Sequence, residues 1–238
     1  NSIIESQSIN VLKSALQRCH RLKPLINEND KTVSWDGNVE VYNSERFSKA
    51  TLAGVVSVQV KGKWVTELPK TNAIKYSASI GDLKNYLKSN GAFFFVICCN
   101  DDGGKVYYNS LLPFDLYILL KDVSPLAATK TIELQELSQK NPMDAYGIFR
   151  DFLYHSKRQA QLDTNMIERF STGELDSKSI PLSFGYGGIP ARGDREAINY
   201  ILSHPTYIYT QPSGFNIDIA LGKMQIAAIE RESDKPII

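Results

Sequence analysis

Apolar and polar positions alternate most regularly over Val55-Val56-Ser57-Val58-Gln59-Val60-Lys61. The pattern predicts a strand with Val56, Val58 and Val60 on one face and Ser57, Gln59 and Lys61 on the other. A strand buried on both faces has little use for an amide and an ammonium two residues apart. Either the second face is wet or the pair has a binding role. Upstream, Ile4, Val11, Leu12, Ala15 and Leu16 recur near helical spacing and predict a helix over Ile3–Leu22, with Glu5 in its first turn and Pro24 as a stop. Polar residues from Asn27 to Ser34 read as a loop. A strand over Val39–Tyr42 follows, in whose register Asp36, Asn38, Glu40 and Tyr42 share a parity.

Further along, Ile74–Ser77 reads as a short strand, and Ser79 with Asp82 as a capping-box variant opening a helix that ends at Gly91. Ala92–Cys99 is the most apolar segment and predicts a central strand. The turn Asn100-Asp101-Asp102-Gly103-Gly104 sends Lys105–Asn109 back beside it, and Leu111–Leu120 reads as an apolar helix or a strand–helix junction. The first 122 residues thus read α-β-β-β-α-β-β-α. Ser124-Pro125 marks a boundary, Thr131–Leu137 reads as a strand or a short helix, and Asp144–Leu162 is helical, with Ile148, Phe149, Phe152 and Leu153 on its apolar face. Beyond Ser171, Gly, Pro and Tyr increase and β-like runs appear at Thr206–Thr210, Phe215–Ala220 and Met224–Ile229. The expected organisation is an α/β (α+β) domain over residues 1–122, a helical connector over 123–165 and a smaller β-rich module over 166–238.

With 238 residues, 42% hydrophobic and 22% charged, the chain has the composition of an ordinary globular protein with a sizeable core. The net charge of +1 does not advertise nucleic-acid binding, so any basic surface is local. Cys19, Cys98 and Cys99 form no Cys-x-x-Cys pair and the three His are scattered, which argues against zinc and a disulfide framework and for a reducing cytoplasm. No apolar stretch approaches the roughly 18 residues of a membrane span. The chain starts at Asn1 without Met and ends just after a charged run, so it is expected to be a piece of a longer protein.

The strand face bearing Gln59 and Lys61, with Asp36 ahead of it, has the chemistry for a hard divalent cation on a phosphodiester. Mg²⁺ takes oxygen ligands, polarises the phosphoryl oxygen and lowers the pKa of an attacking water, while a nearby Lys steadies the developing charge. Spacing i, i+2 puts Gln59 and Lys61 about 6–7 Å apart along the strand, and an acid on a preceding helix can complete such a site.

These residues carry a resemblance. Asp36…Gln59-Val60-Lys61 resembles the core of the PD-(D/E)xK, or restriction-endonuclease-like, superfamily, in the variant with Gln at the second acid. Trp35-Asp36-Gly37-Asn38-Val39-Glu40-Val41, Val58-Gln59-Val60-Lys61-Gly62, Gly91-Ala92-Phe93-Phe94-Phe95-Val96 and Tyr107-Tyr108-Asn109-Ser110-Leu111-Leu112-Pro113 are similar to the DUF4365 family of nuclease-like domains, often found in bacterial anti-phage defence proteins. The resemblance covers about residues 1–122 and implies a restriction-endonuclease-like core, a mixed central sheet flanked by helices. It also implies an Mg²⁺- (or Mn²⁺-) dependent DNA endonuclease, acting as a defence effector that a regulatory protein partner or homo-oligomer holds in check, with no membrane role. Asp36 would ligate the metal, Gln59 would ligate through its amide or backbone neighbourhood, Lys61 would act on the phosphate or water, and Glu5 would be the helix acid. With a neutral Gln59, either the site would hold a single metal or Glu40, on Asp36's strand face, would substitute in part as a ligand. Two departures stand out: Trp35 replaces the name-giving Pro, and neutral Gln59 replaces an acid.

Each assignment has a plainer reading beside it. Glu5 is also a favourable charge at a helix N-terminus, and Gln-x-Lys recurs by chance. The Gly-rich Gly185–Gly193 segment lacks the Lys-Ser/Thr ending of a P-loop and reads as a loop, with Arg192 and Arg195 available to a phosphate. Lys13, Arg18, Arg21 and Lys23 form a basic cluster, by default a solvated face. His20, His155 and His204 have no recognisable Ser or Cys partner. A non-catalytic nucleic-acid-binding module and an assembly module that kept the nuclease fold are the alternatives.

Overall fold

The unbroken apolar run at residues 92–100 is a strand buried along almost its whole length. Such a strand needs two cores, and alternation supplies both: Phe93, Phe95, Ile97 and Cys99 enter one, and Phe94, Val96 and Cys98 the other. The computed structural model describes residues 2–27, 34–174, 180–189, 193–211 and 217–229. Along these run α1 (Ser2–Gln17), β1 (Leu22–Ile26), β2 (Gly37–Tyr42), β3 (Leu52–Trp64), β4 (Ala73–Ser79), α2 (Ile80–Lys88), β5 (Ala92–Asn100) and β6 (Gly103–Leu111). They continue with α3 (Pro113–Leu120), β7 (Thr129–Glu136), α4 (Pro142–Arg158), α5 (Thr164–Ser171), β8 (Leu182–Ser183), α6 (Asp194–Ser203), β9 (Thr206–Thr210) and β10 (Ile219–Met224).

The main sheet has seven strands in the order β1-β2-β3-β5-β6-β7-β4, and a three-stranded sheet has the order β10-β9-β8. The fold is mixed α/β, as expected. β3 and β5 are parallel, joined through β4 and α2, and pair Val58 with Phe93, Val60 with Phe95 and Lys61 with Val96. The other ladders are antiparallel. α1 and α4 cover one face, where Ile9, Leu12, Leu16, Phe149 and Phe152 meet Val56, Val58 and Phe93. α2 and α3 cover the other, with Leu83, Tyr86 and Leu116 against Phe94 and Val96. All three cysteines are buried free thiols. Among the described residues no helix is long and apolar enough to cross a membrane.

Three expectations change. The first helix stops at Gln17, because Leu22–Ile26 leave it to pair with β2. Pro24 sits within that strand, tolerated because β1 is an edge and Pro needs no partner for an N–H it lacks. Second, the stretch 123–165 is not simply a helical connector. β7 lies in it, pairing with β4 from Ser79↔Thr129 to Ala73↔Gln135 and with β6 at Tyr107 and Tyr108. Third, residues 166–238 have no separate core among those described: Tyr207, Tyr209 and Ala220 join the cluster that holds Phe93 and Phe149, and the segment includes α5 and α6. Arg158 is paired with Asp218 at 2.7 Å, and Lys223 with Asp115 at 3.2 Å. The local pattern at 122–125 looked like a boundary because strand pairing and shared apolar faces are non-local. Arg192, residues 28–33 and the charged run from residue 230 onward lie outside the described residues.

Phe149 stacks on Phe93 with ring centroids 4.3 Å apart, joining the 123–165 stretch to the central strand. Phe149→Ala is expected to lower unfolding free energy by about 3–5 kcal/mol, in one transition seen alike by far-ultraviolet circular dichroism and tyrosine fluorescence in urea. Two separated transitions would contradict a shared core.

Candidate functional site

The β2–β3 ladder ends at Gly37↔Val58, but β3 continues to Trp64, so its edge beyond Val58 has no strand beside it. The residue before β2 fills the gap. Asp36 donates its own N–H to the Val58 carbonyl (3.0 Å) and its carbonyl accepts from Asn27 N (3.1 Å), which fixes its backbone between β1 and β3. Gly37 makes this approach possible. Its φ of +146° suits glycine, and a Cβ there would lie 2.3 Å from the Leu25 carbonyl oxygen. The Asp36 side chain then turns along the β3 edge, and Oδ2 accepts the Val60 N–H at 2.6 Å.

Oδ2 of Asp36 also accepts from the Gln59 side-chain amide. Gln59 is buried, 3% exposed; of the two expectations for its face, wet or binding, the first does not hold at this residue, which α2 covers. Tyr86 reaches down from that helix and donates its hydroxyl to Gln59 Oε1 at 3.3 Å. Burial first, and then the carboxylates of Asp82 and Asp36, hold the Tyr86 hydroxyl protonated far above the ordinary tyrosine range. A phenol that keeps its proton fixes the amide: Oε1 toward Tyr86, Nε2 toward Asp36. The Trp35 ring meets Tyr86 edge-on at 6.0 Å and closes this side, its Nε1 buried without a partner among the described residues.

On the other face α1 lies directly on β3. A Cβ at Gly62 would be 2.4 Å from Ser8 Oγ and 3.1 Å from the Ile4 carbonyl oxygen. This close seat brings the first turn of α1 to the same edge, and Glu5, Asp36 and Lys61 line one cavity of about 440 Å³ together with Val60 and Gly62. Two carboxylates and an ammonium therefore come together from a helix, a pre-strand turn and a strand.

The remaining predicted residues lie elsewhere. Glu40 is on β2, four extended residues or about 13 Å along the chain from Asp36. It accepts from Lys23 Nζ (3.0 Å) and Tyr42 Oη (2.7 Å) and does not line the cavity. Gln59 underlies Asp36 and gives its oxygen to Tyr86. The Gly185–Ile189 part of the Gly-rich segment is a loop packed on α4, where a Cβ at Gly187 would be 2.2 Å from the Arg150 carbonyl oxygen. Tyr86 was not anticipated. Its spacing from Leu83 on a capped helix places it against the sheet, but nothing local says which strand residue it meets.

No protein-family model, curated protein or solved structure matches this chain.

Among the described residues no group of three or more His, Cys, Asp and Glu side chains is placed to hold a metal. A closed structural zinc site takes four protein ligands. Mg²⁺ asks for less, since one or two carboxylates suffice while water fills the other positions. Asp36 and Glu5 are the two acidic side chains that line the cavity.

Gln59→Leu removes both the amide donor to Asp36 and the acceptor for Tyr86. A loss of about 1–3 kcal/mol in urea unfolding is expected from the stranded buried groups, with about 1 kcal/mol for Tyr86→Phe. A double variant no worse than Gln59→Leu alone would place the two groups in one network.

Proposed function

We propose that this chain is a metal-dependent DNA endonuclease that hydrolyses phosphodiester bonds. One observation carries the reading: Glu5, Asp36 and Lys61, distant in sequence, line a single cavity at the open edge of β3. Asp36 and Glu5 would hold Mg²⁺ or Mn²⁺, which when bound supplies positive charge to phosphoryl oxygens and acidifies water. Gln59 positions Asp36 by donating to its carboxylate, and Tyr86 keeps that amide oriented. Lys61 offers an ammonium to the phosphate as charge builds on its oxygens. The similarity of Asp36…Gln59-Val60-Lys61 to restriction-endonuclease-like motifs adds the substrate class, and similarity to the DUF4365 family adds the setting, a bacterial anti-phage effector restrained by a protein partner or its own assembly.

A second reading rests on Gln59. A neutral donor at the place of the second acid leaves less negative charge for a cation, as in a nucleic-acid-binding or assembly module that retained the fold. Plasmid cleavage separates the two. With Mg²⁺ or Mn²⁺ the full chain is expected to nick or linearise DNA, EDTA to stop it, Asp36→Ala to abolish it and Lys61→Ala to slow it about 10²–10³-fold. DNA retention without cutting under all conditions favours the binding module, and cutting that survives both substitutions refutes the assigned site.

A further inference from the structure

A second cavity, of about 260 Å³, lies where α4 and α6 meet β6 and β7. Its size is just below the range of typical ligand pockets, about 300–1,000 Å³, so it suits one small ring system rather than a dinucleotide. None of its lining residues belongs to the Asp36 cavity.

Hydrogen bonds behind its wall run in one direction. The Phe114 N–H donates to Gln159 Oε1 at 2.9 Å, so the Gln159 amide turns Nε2 toward Tyr209 Oη at 3.1 Å. Tyr209 Oη lies 2.7 Å from His155 Nδ1, and since its proton has no other acceptor among the described residues, the phenol is taken as the donor and the ring nitrogen as the acceptor. Burial, and then the charges of Arg158 and Lys223, push the imidazole pKa down to about 3, so the ring is neutral. Its one proton is therefore on Nε2, which has no protein partner among the described residues. His155 itself lines the cavity and is only 2% exposed. Tyr108 is alike: 3% exposed, it accepts from Gln135 Nε2 at 2.6 Å, and its own O–H has no acceptor among the described residues. Two donors on largely buried residues thus line one small cavity, where water or a bound molecule accepts from them.

Asp151 supplies the opposite character. It lies one helical turn before His155, on the same face of α4. The Gly187 N–H and Tyr200 Oη, each at 2.5 Å, fix its carboxylate, which also lines the cavity with capacity for a further donor. Phe152, Tyr200 and Tyr207 give it flat aromatic walls. Three charged side chains line the cavity: Lys223, whose ammonium is paired with Asp115, and the acids Asp151 and Glu133, which together work against an anion, while the two donors work against a cation. A flat, uncharged ring with a carbonyl beside an N–H satisfies all of these groups.

We propose that this cavity binds a nucleobase or nucleoside through an amide edge, its C=O accepting from His155 Nε2–H and Tyr108 O–H and its ring N–H donating to Asp151. The site is independent of the nuclease reading.

Two matched pairs of nucleosides test it, titrated calorimetrically into the full chain. Inosine and uridine carry the amide edge, whereas adenosine and cytidine lack the ring N–H beside the carbonyl. Inosine is expected to bind at least tenfold tighter than adenosine, or uridine than cytidine, and discrimination in either pair supports the site. Tyr108→Phe is expected to weaken the preferred nucleoside about tenfold, and Asp151→Asn to erase the preference. The proposal is overturned by no saturable binding of any of the four to natively folded protein, by equal binding within both pairs, or by a preference that both substitutions leave intact. The wild-type comparison stands even where a variant fails to fold.

Discussion

One backbone N–H, that of Val60, organises the candidate site. It lies on β3 just past the point where β2 stops, and the Asp36 carboxylate takes it in place of a strand. That bond does two things. It satisfies a donor that would otherwise face a gap in the ladder, and it anchors a carboxylate where β3 passes from its buried middle, residues 56–59, to its exposed end. Gln59, on the opposite face of the same strand, reaches the same oxygen. The strand therefore supplies two donors to one acid, one from its backbone and one from a side chain. A carboxylate held in this way keeps its orientation whether or not a cation is beside it.

The two halves of the chain share the sheet and its cores, which bears on how any regulation would act. β7 closes onto β4, α4 packs on Phe93, and the three-stranded sheet is tied back through Asp115 and Asp218. Cross-strand pairing sets Val60 beside Phe95, and Phe95 beside Tyr108. The lining of the first cavity and the lining of the second are thus two strands apart on one face of a single sheet.

Legibility in sequence followed how local each feature was. The alternation in β3, the apolar run of β5 and the short β9 were all readable, as was Ser79, whose hydroxyl accepts the Asp82 N–H at 3.3 Å. Asp36 and Lys61 were picked out by residue type and spacing together with the family resemblance, and Glu5 by the resemblance; the three line one cavity. Other features depended on partners that no local pattern names. β1 was hidden because Pro24 reads as a stop unless the strand is known to be an edge. The face of Gln59 read as either wet or binding, because nothing in Val55–Lys61 announces that Tyr86 covers it. Glu40 had the right parity, but Lys23 and Tyr42 occupy its carboxylate. His155 looked like an isolated histidine, since the chain of donors behind it comes from Phe114, Gln159 and Tyr209, which only the fold brings together.

Gly62 contributes no functional group, yet it governs the placement of one. The helix rests on bare backbone at that point, with Ser8 Oγ where a methyl group would go. Any side chain there would act as a wedge, lifting the start of α1 and carrying Glu5 away from Asp36 without changing the identity of any chemically active residue. The separation of the two acids is thus set by a hydrogen atom on a residue between them and the core, a spacer that a search for reactive groups alone would pass over.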